Sequence, residues 1–219
     1  MPRALFEKTG NAVYISHLDL MRLFHRAFKR AGLALKHTQG FNPRPSVSIA
    51  MPLSLGMESR CELLDFELEG EQISGEEIAA KLNESLIDGV KILEVYDNCG
   101  KLKNLAFLDC AVTLEYDHGV PQEAANRISS LFAQDQLMVE KKGKNGIAQQ
   151  DIAPMIRSLT VEQLGEHELV LKAKICCQNP SLNPMQLSAA IGKYMPELAP
   201  DFVRVQRVEI YDANDTIFR

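Results

Sequence analysis

Residues 16–52, SHLDLMRLFHRAFKRAGLALKHTQGFNPRPSVSIAMP, decide how the first half of the chain folds. Ser16 is a typical N-cap residue, because its hydroxyl can accept a hydrogen bond from a free backbone N–H in the first turn of a helix. Apolar residues then recur at steps of three and four, and Gly32 follows the last of them. The pattern predicts one amphipathic helix that begins at about His17 and ends before Gly32.

The polar side of the predicted helix carries a row of basic residues: Arg22, Arg26, Lys29, Arg30 and, at its margin, His25. A solvated helix face is one interpretation, since exposed faces are commonly charged. The charge balance favours another, because residues 1–50 carry a net charge of +6 and residues 51–100 a net charge of −9. A chain with a net charge of −5 therefore begins with a strongly basic quarter, which is typical of a nucleic-acid-binding surface.

A short strand and a constrained loop follow the predicted helix. Residues 33–38 alternate apolar and polar side chains, which predicts a strand. The following GFNPRP segment, residues 40–45, cannot continue a strand, because its two prolines lack N–H groups and restrict the residues before them. Arg44 lies between these prolines, and a preorganised guanidinium suits bidentate contact with a phosphate. Pairing of Arg44 with one of the chain's many acids is the alternative.

Five ordered motifs carry a family resemblance: Lys8-Thr9-Gly10, SHLDLMRLF (16–24), HRAFKRAG (25–32), QGFNPRP (39–45) and MPLSLGMES (51–59). Together they resemble the uncharacterised radical-SAM-associated protein family, whose members are fused to, or encoded beside, a cobalamin-binding radical SAM protein. The resemblance covers mainly residues 3–70. Its pattern marks Lys8, Ser16, His17, Asp19, Arg22, Gln39, Gly40, Phe41, Asn42, Pro43, Arg44 and Pro45 in this chain.

This resemblance implies a radical SAM protein as a partner. The ribonuclease and ribosomal proteins described as gene neighbours of the family imply RNA or a ribosomal component as a second partner. The chain itself lacks a radical SAM portion, so it resembles the stand-alone form of the domain and is not expected to carry out redox or methyl-transfer chemistry.

The order of predicted elements indicates the fold class. Residues 1–97 give strand (3–8 and 12–15, interrupted by a turn at 9–11), helix, strand, strand, helix and strand, which is typical of the ferredoxin-like (split βαβ) arrangement with an antiparallel sheet. The polar stretch 98–104 predicts a linker, and the same order repeats over residues 105–219. We therefore predict an α+β fold of two tandem ferredoxin-like halves, an N-terminal domain (1–97) and a C-terminal domain (105–219).

The composition of the chain and the spacing of its cysteines and histidines limit which cellular compartment and which metal or cofactor chemistry we expect. No segment approaches the roughly 20 apolar residues of a membrane span, and the start, MPRALFEKTG, lacks a signal-peptide core. We therefore expect a cytoplasmic protein with no membrane partner and with reduced cysteines. The five cysteines lack CxxC spacing and the five histidines lack HxxxH or HExxH spacing, so we predict no metal site and no cofactor.

A second basic element lies in the C-terminal half. A strand is predicted to begin at Leu137, and the segment after it, KKGKNG (141–146), reads as a loop tip with three cations and two glycines. One hypothesis is that this loop contacts phosphates and clamps a strand against Arg44. Exposed basic loops are also common without any ligand.

The leading hypothesis is an RNA- or ribonucleoprotein-binding accessory protein that acts with a radical SAM partner enzyme and is non-catalytic by itself. If its binding is electrostatic, its affinity for RNA falls as salt rises. The candidate binding residues are Lys8, His17, Arg22, Arg26, Lys29, Arg30, Gln39, Phe41, Asn42, Arg44, Lys141, Lys142 and Lys144.

Two alternatives remain open from the sequence. Tandem ferredoxin-like halves are similar to CRISPR RNA-processing endonucleases, so the chain could be a metal-independent endoribonuclease in which His17, His25 or His37 acts as acid or base. Arg22 or Arg44 would then stabilise the phosphorane. The other alternative is a protein–protein docking module for the radical SAM enzyme.

Overall fold

The computed structural model describes residues 1–70, 73–97, 99–143 and 146–219. The chain divides into two compact units, Met1–Asn104 together with Phe218–Arg219, and Leu105–Ile217. The described residues form four α-helices and ten strands, and the strand pairings within each unit are antiparallel. The predicted α+β class is confirmed. Within those residues no helix has the length and apolar character to cross a membrane.

The first unit contains one antiparallel sheet and two helices. Its elements are β1 (Arg3–Lys8), α1 (His17–Arg30), β2 (Val47–Ile49), β3 (Glu58–Phe66), α2 (Gly75–Asn83) and β4 (Val90–Tyr96). β1 pairs with β3 on one side and β4 on the other, and β2 pairs with the far edge of β3. The strand order is therefore β4-β1-β3-β2.

Aromatic side chains join α1 to the sheet. The rings of Phe6 on β1 and Phe24 on α1 meet edge to face, with centroids 5.0 Å apart. Phe28 on α1 and Phe66 on β3 form a second pair at 5.1 Å. Leu82 of α2 belongs to the same buried cluster, so both helices cover one face of the sheet. Each aromatic pair adds about 0.5–1.5 kcal/mol to the stability that burial provides.

Two predicted strand segments of the first unit are wrong. The strand expected at residues 33–38 is an extended segment in which Leu35 makes only an isolated bridge with Leu68, while Lys36 N–H donates to the Glu67 carbonyl at 2.9 Å. The buried leucines produced the alternating pattern, but the pairing is too short for a regular strand. Gly10–Tyr14, expected to include part of the first strand, forms a short 3-10 helix.

The described residues of the second unit form six strands, which pair antiparallel within the unit, and two helices. Its elements are β5 (Leu105–Glu115), α3 (Ala124–Phe132), β6 (Met138–Gly143), β7 (Gly146–Asp151), β8 (Ile156–Leu164), β9 (Glu168–Cys176), α4 (Met185–Tyr194) and β10 (Phe202–Asp212). The main strand order is β10-β5-β9-β8. Ile128 and Leu131 of α3, with Leu187 and Ile191 of α4, are fully or almost fully buried.

A hairpin is inserted between α3 and β8. β6 and β7 pair with each other from Met138–Asp151 at the base to Gly143–Gly146 at the tip. The sequence predicted the start of β6 and a loop at 141–146, but it missed β7 and the extension of β6 to Gly143. Two residues of the predicted loop, Lys144 and Asn145, lie outside the described residues.

The last two residues belong to the first unit. Phe218 is 4% exposed, and its ring lies 5.2 Å from the guanidinium carbon of Arg3. Gly100 N–H donates to the Arg219 carbonyl at 2.8 Å. The described residues of the predicted linker, 99–104, therefore belong to the first unit; Asn98 lies outside the described residues. The last two residues of the predicted C-terminal domain also belong to the first unit.

Candidate nucleic-acid interface

The start of α1 follows the predicted capping pattern. Ser16 Oγ accepts a hydrogen bond from Asp19 N–H at 3.2 Å and donates to the Asp19 carboxylate at 2.7 Å. This hydrogen bond, together with the guanidinium of Arg22, lowers the pKa of Asp19. The predicted N-cap is confirmed, and Gly32 follows the helix with a φ of +69°. These caps fix the ends of the helix that presents the basic residues.

The cationic face of α1 consists of Arg22, Arg26, Lys29 and Arg30, all exposed. Arg22 pairs with Asp19 at 2.8 Å, and Arg30 donates to the Ser85 carbonyl at 2.7 Å. Within the described part of the chain, Arg26 and Lys29 have neither a hydrogen-bond partner nor an ion pair for their side chains. Two of the four cations are therefore available to an external anion.

A hollow of about 420 Å³ lies beside this face. Its lining combines charged and apolar side chains: Ile15, Asp19, Arg22, Leu23, Arg26 and Ile87. Ile87 and Ser85, which follow α2, were not predicted as part of the site. No local sequence signal could have found them, because they lie about 60 residues from α1 and only the fold brings them together.

The Arg44 loop, residues 38–45, is closed by two hydrogen bonds. Thr38 N–H donates to the Arg44 carbonyl at 2.8 Å, and Arg44 N–H donates to Thr38 Oγ1 at 3.0 Å. His37 and Pro45 then form a backbone bridge at the base of the loop. Thr38 was not among the predicted site residues, although its hydroxyl fixes the loop end that carries Arg44.

The side chains of the Arg44 loop point to solvent. Gln39, Phe41, Asn42 and Arg44 are all exposed, and Phe41 is 100% exposed. The Arg44 side chain has no acidic partner among residues that the structure describes, so the alternative of an intramolecular ion pair is not realised there. A fully solvated aromatic ring and a free guanidinium thus share one short loop.

The charged residues of the stretch that carries most of α1 and the Arg44 loop are all basic. Residues 20–57 contain no Asp or Glu, although they contain six Arg and Lys residues. Lys36, between the helix and the loop, pairs with Glu67 at 3.6 Å. The part of α1 from Leu20 onward and the Arg44 loop therefore lie in a stretch that offers cations and no acid of its own.

The prediction that Lys8 is a binding residue requires a correction, because Lys8 is buried. Its side chain is 1% exposed, and its ammonium donates to the carbonyls of Val13 at 3.2 Å and Ile15 at 2.8 Å. Burial lowers the pKa of Lys8, and the nearby charge of Glu62 opposes that shift. Lys8 thus fastens the chain just before α1 to β1 and cannot reach an RNA phosphate.

The three candidate histidines lie apart from one another. His17 occupies the first turn of α1 and His25 a position two turns later, which places them about 12 Å apart along the axis. His37 lies beyond the helix, in the exposed extended segment. The described residues contain no group of three or more His, Cys, Asp or Glu side chains suited to hold a metal ion.

The basic residues of the β6–β7 hairpin lie in the second unit. Lys141 on β6 donates to the Ser181 carbonyl at 3.4 Å, beside a hollow of about 470 Å³ that also contacts Asn183 and Gln186 of the α4 start. Lys142 lies on the same strand. Lys144 lies outside the described residues, so its predicted role at the hairpin tip stays a prediction.

Comparison with solved structures finds similarity of fold. A chain from the crystal structure of a Cbf5-Nop10-Gar1 complex superposes with a TM-score of 0.52 at 7% identity, covering 95% of this chain and 48% of that chain. The present chain therefore spans about half the length of that relative. The crystal structure of an unknown protein from Galdieria sulphuraria gives a TM-score of 0.28 at 11% identity, covering 94% of this chain and 97% of that one. No curated protein matches the chain.

Comparison with protein families gives a match over most of the sequence. The matched residues, 2–184, include α1, the Arg44 loop and the β6–β7 hairpin. The family is uncharacterised, which agrees with that part of the resemblance found in the sequence. The chain therefore belongs to the family described as an uncharacterized protein conserved in bacteria, DUF2344.

Proposed function

We propose that this chain is an RNA- or ribonucleoprotein-binding accessory protein that acts with a radical SAM partner enzyme and is non-catalytic by itself. Its binding surface comprises the cationic face of α1 and the Arg44 loop. The observation that carries the proposal is a set of exposed cations whose side chains make no hydrogen bond or ion pair with described residues, Arg26, Lys29 and Arg44, in a stretch without acids.

The proposal includes a ferredoxin-like (split βαβ) arrangement in each unit. In the first unit β1 and β2, joined through α1, are separated in the sheet by β3, and β3 and β4, joined through α2, are separated by β1. The second unit repeats the order with β5, β8, β9 and β10 and inserts the β6–β7 hairpin. Two βαβ units that interlock in this way are what the split arrangement requires.

Electrostatics favour a polyanionic ligand. A protein that neutralises phosphates with Lys and Arg releases counterions, which gives affinity that falls steeply as salt rises. Arg44 is suited to this role because its loop is closed by hydrogen bonds and two prolines, so little conformational entropy is lost on binding. The guanidinium fork also permits bidentate contact with a phosphate.

The placement of the histidines favours binding over catalysis. An acid–base pair for RNA cleavage needs two groups within hydrogen-bond reach of neighbouring oxygens. His17 and His25 lie about 12 Å apart along α1, and His37 lies outside the helix. The endoribonuclease alternative would thus depend on a single histidine.

The radical SAM partner is proposed from the family resemblance of the sequence motifs. The contact with the radical SAM partner is proposed to use acidic residues of 51–100, whose charge is opposite to that of the RNA-binding surface. Glu62 and Asp65 are buried and cannot take part. Glu76 and Glu77 at the start of α2 remain exposed. Complementary charge of this kind steers association and fixes orientation more than it adds affinity.

The test measures affinity for total cellular RNA and for the purified radical SAM partner at two salt concentrations. The variants are Arg44→Ala and the double change Arg22→Ala/Arg26→Ala, with Lys172→Ala as a matched control, since Lys172 is an exposed, paired cation of the second unit. Each lost phosphate contact lowers the salt slope by roughly 0.7–0.9. We expect Arg44→Ala and the double variant to bind RNA more weakly and with less salt dependence, and Lys172→Ala to bind RNA like the unaltered protein.

The opposite result reassigns the surface. If RNA binding is absent or equal in all proteins while partner binding is lost, the same residues form a protein interface. If RNA incubated in EDTA is cleaved, and a single change His17→Ala, His25→Ala or His37→Ala abolishes cleavage, the chain is a metal-independent endoribonuclease.

A further inference from the structure

We infer that the Arg44 loop takes an unpaired nucleobase on the ring of Phe41 while Arg44 holds a neighbouring phosphate, so that the ligand is single-stranded or flipped-out RNA rather than duplex. This inference rests on the proposed RNA-binding function and names its substrate class. It is carried by the exposure of Phe41, the closed geometry of its loop and the charge around it.

The exposure of Phe41 sets it apart from the other phenylalanines of the first unit. Its side chain is 100% exposed, whereas Phe6, Phe24, Phe28, Phe66 and Phe218 are at most 4% exposed. Phe41 also shares its short loop with an exposed arginine, Arg44, and an exposed aromatic ring beside a cation is the combination on which unpaired bases stack.

The loop holds this ring away from the protein. Thr38 and Arg44 close its ends through the two hydrogen bonds at 2.8 and 3.0 Å, and Ser46 N–H donates to the Lys36 carbonyl at 2.7 Å just below. Pro43 fixes its own φ and restricts the residue before it. Because this backbone is already ordered, Phe41 can receive a flat ligand with a small loss of entropy.

The charge of the loop itself favours an anionic ligand. Phe41 lies three residues before Arg44, inside the stretch 20–57 that contains no acid. A nucleotide combines a flat aromatic face with a negative phosphate, which matches this pair of side chains. In a duplex both faces of each internal base are covered by stacking, so the match is to an unpaired base. Stacking also tolerates any base, which predicts little sequence preference.

The chain lacks tryptophan, which permits a direct test. Phe41→Trp places a single fluorescent indole on the loop, and Phe202→Trp places one on β10 of the second unit, where Phe202 is also exposed. The titrants are a single-stranded RNA oligonucleotide, the same sequence in a duplex, an abasic sugar-phosphate oligomer of equal length and the purified radical SAM partner. Total RNA binding is followed separately by fluorescence anisotropy of labelled RNA.

We expect the emission of Phe41→Trp to be quenched by the single strand and not by the duplex or the abasic oligomer, with no change for Phe202→Trp. Phe41→Ala should weaken single-strand binding between about fivefold and 160-fold, the range for loss of one stacked base. Phe41→Leu, which keeps an apolar side chain but no π-face, should lose most of the same affinity.

Other outcomes overturn the inference in distinguishable ways. Salt-sensitive RNA binding by anisotropy with unchanged emission, or with equal quenching by duplex, removes the stacking role and leaves the proposed function standing. Quenching by the radical SAM partner alone assigns Phe41 to a protein interface. Absence of any RNA binding removes both the inference and the proposed function.

Discussion

Replacing Lys8 with methionine tests whether this residue is structural. The Lys8 ammonium donates to the carbonyls of Val13 and Ile15, which precede α1. The Val13 carbonyl also accepts from Gly56 N–H at 2.9 Å and keeps that partner in the variant. Lys8→Met preserves the length of the buried stem and removes only the charge and its hydrogen bonds.

The expected loss of stability follows from these contacts. A hydrogen bond from a charged donor contributes about 1.5–3 kcal/mol, and an orphaned buried carbonyl costs about 1–3 kcal/mol. The cost of burying the ammonium offsets part of this loss, because methionine has no charge to desolvate. We therefore expect a net destabilisation of about 3 kcal/mol, which lowers the Tm of a chain of this size by about 6–12 °C.

The assay is urea and thermal unfolding, followed by RNA binding at a temperature where both proteins are folded. Lys172→Met is the matched control, because an exposed ion pair contributes only about 0–1 kcal/mol. Unchanged melting of Lys8→Met together with lost RNA affinity would refute the structural assignment and return Lys8 to the binding surface.

The pH dependence of the free energy of unfolding is an independent check that Lys8 is buried. Burial lowers the pKa of Lys8 in the folded chain below the usual 10.5. Between the lowered pKa and 10.5 the unfolded chain binds more protons at this site than the folded chain, so the stability due to Lys8 rises with pH across that window. The free energy of unfolding of Lys8→Met should lack this rise, and a rise equal to that of the unaltered protein would contradict it.

Four further changes test the scaffold of the first unit by urea unfolding. Gly89 has a φ of +83°, and an added Cβ would meet the Thr9 carbonyl oxygen at 2.3 Å. Gly89→Ala should therefore lower the free energy of unfolding by about 3 kcal/mol or more. Gly32→Ala, where the space is open, should lower it by about 1 kcal/mol. Ser16→Ala should cost about 1 kcal/mol through loss of the N-cap, and no change in midpoint would argue against the cap. Arg3→Met should cost about 3–5 kcal/mol because Asp65, which accepts from Arg3 at 2.5 and 3.0 Å, keeps a buried charge without its partner.

The structure matches the sequence analysis best where local rules determine the outcome. Ser16, the apolar repeat and Gly32 predicted both ends of α1, because capping and a 3.6-residue period depend on neighbouring residues alone. The segment 33–38 shows the limit of such rules. Its alternation reports burial of Leu33 and Leu35, but a regular strand also needs a continuous partner, which the fold does not place there.

The candidate site was predictable only in part for a similar reason. The sequence identified α1 and the Arg44 loop, but it could not show that Ser85 and Ile87 lie beside the helix. The sequence did contain a signal that Lys8 is buried. Lys8 shares the alternating inward face of β1 with Ala4 and Phe6, and a lysine at such a position is expected to be buried and to bind carbonyls rather than solvent ions.

The position of Phe218 has a consequence for the order in which the protein is made and folded. The first unit contains residues from both ends of the sequence, with about 110 residues of the second unit synthesised between them. At roughly 5–20 residues per second, the first unit waits about 6–20 s on the ribosome for the ring that covers Arg3. A fragment that stops at Asn104 never receives that ring. The second unit ends at Ile217, so the last residues of the two units are synthesised within two positions of each other.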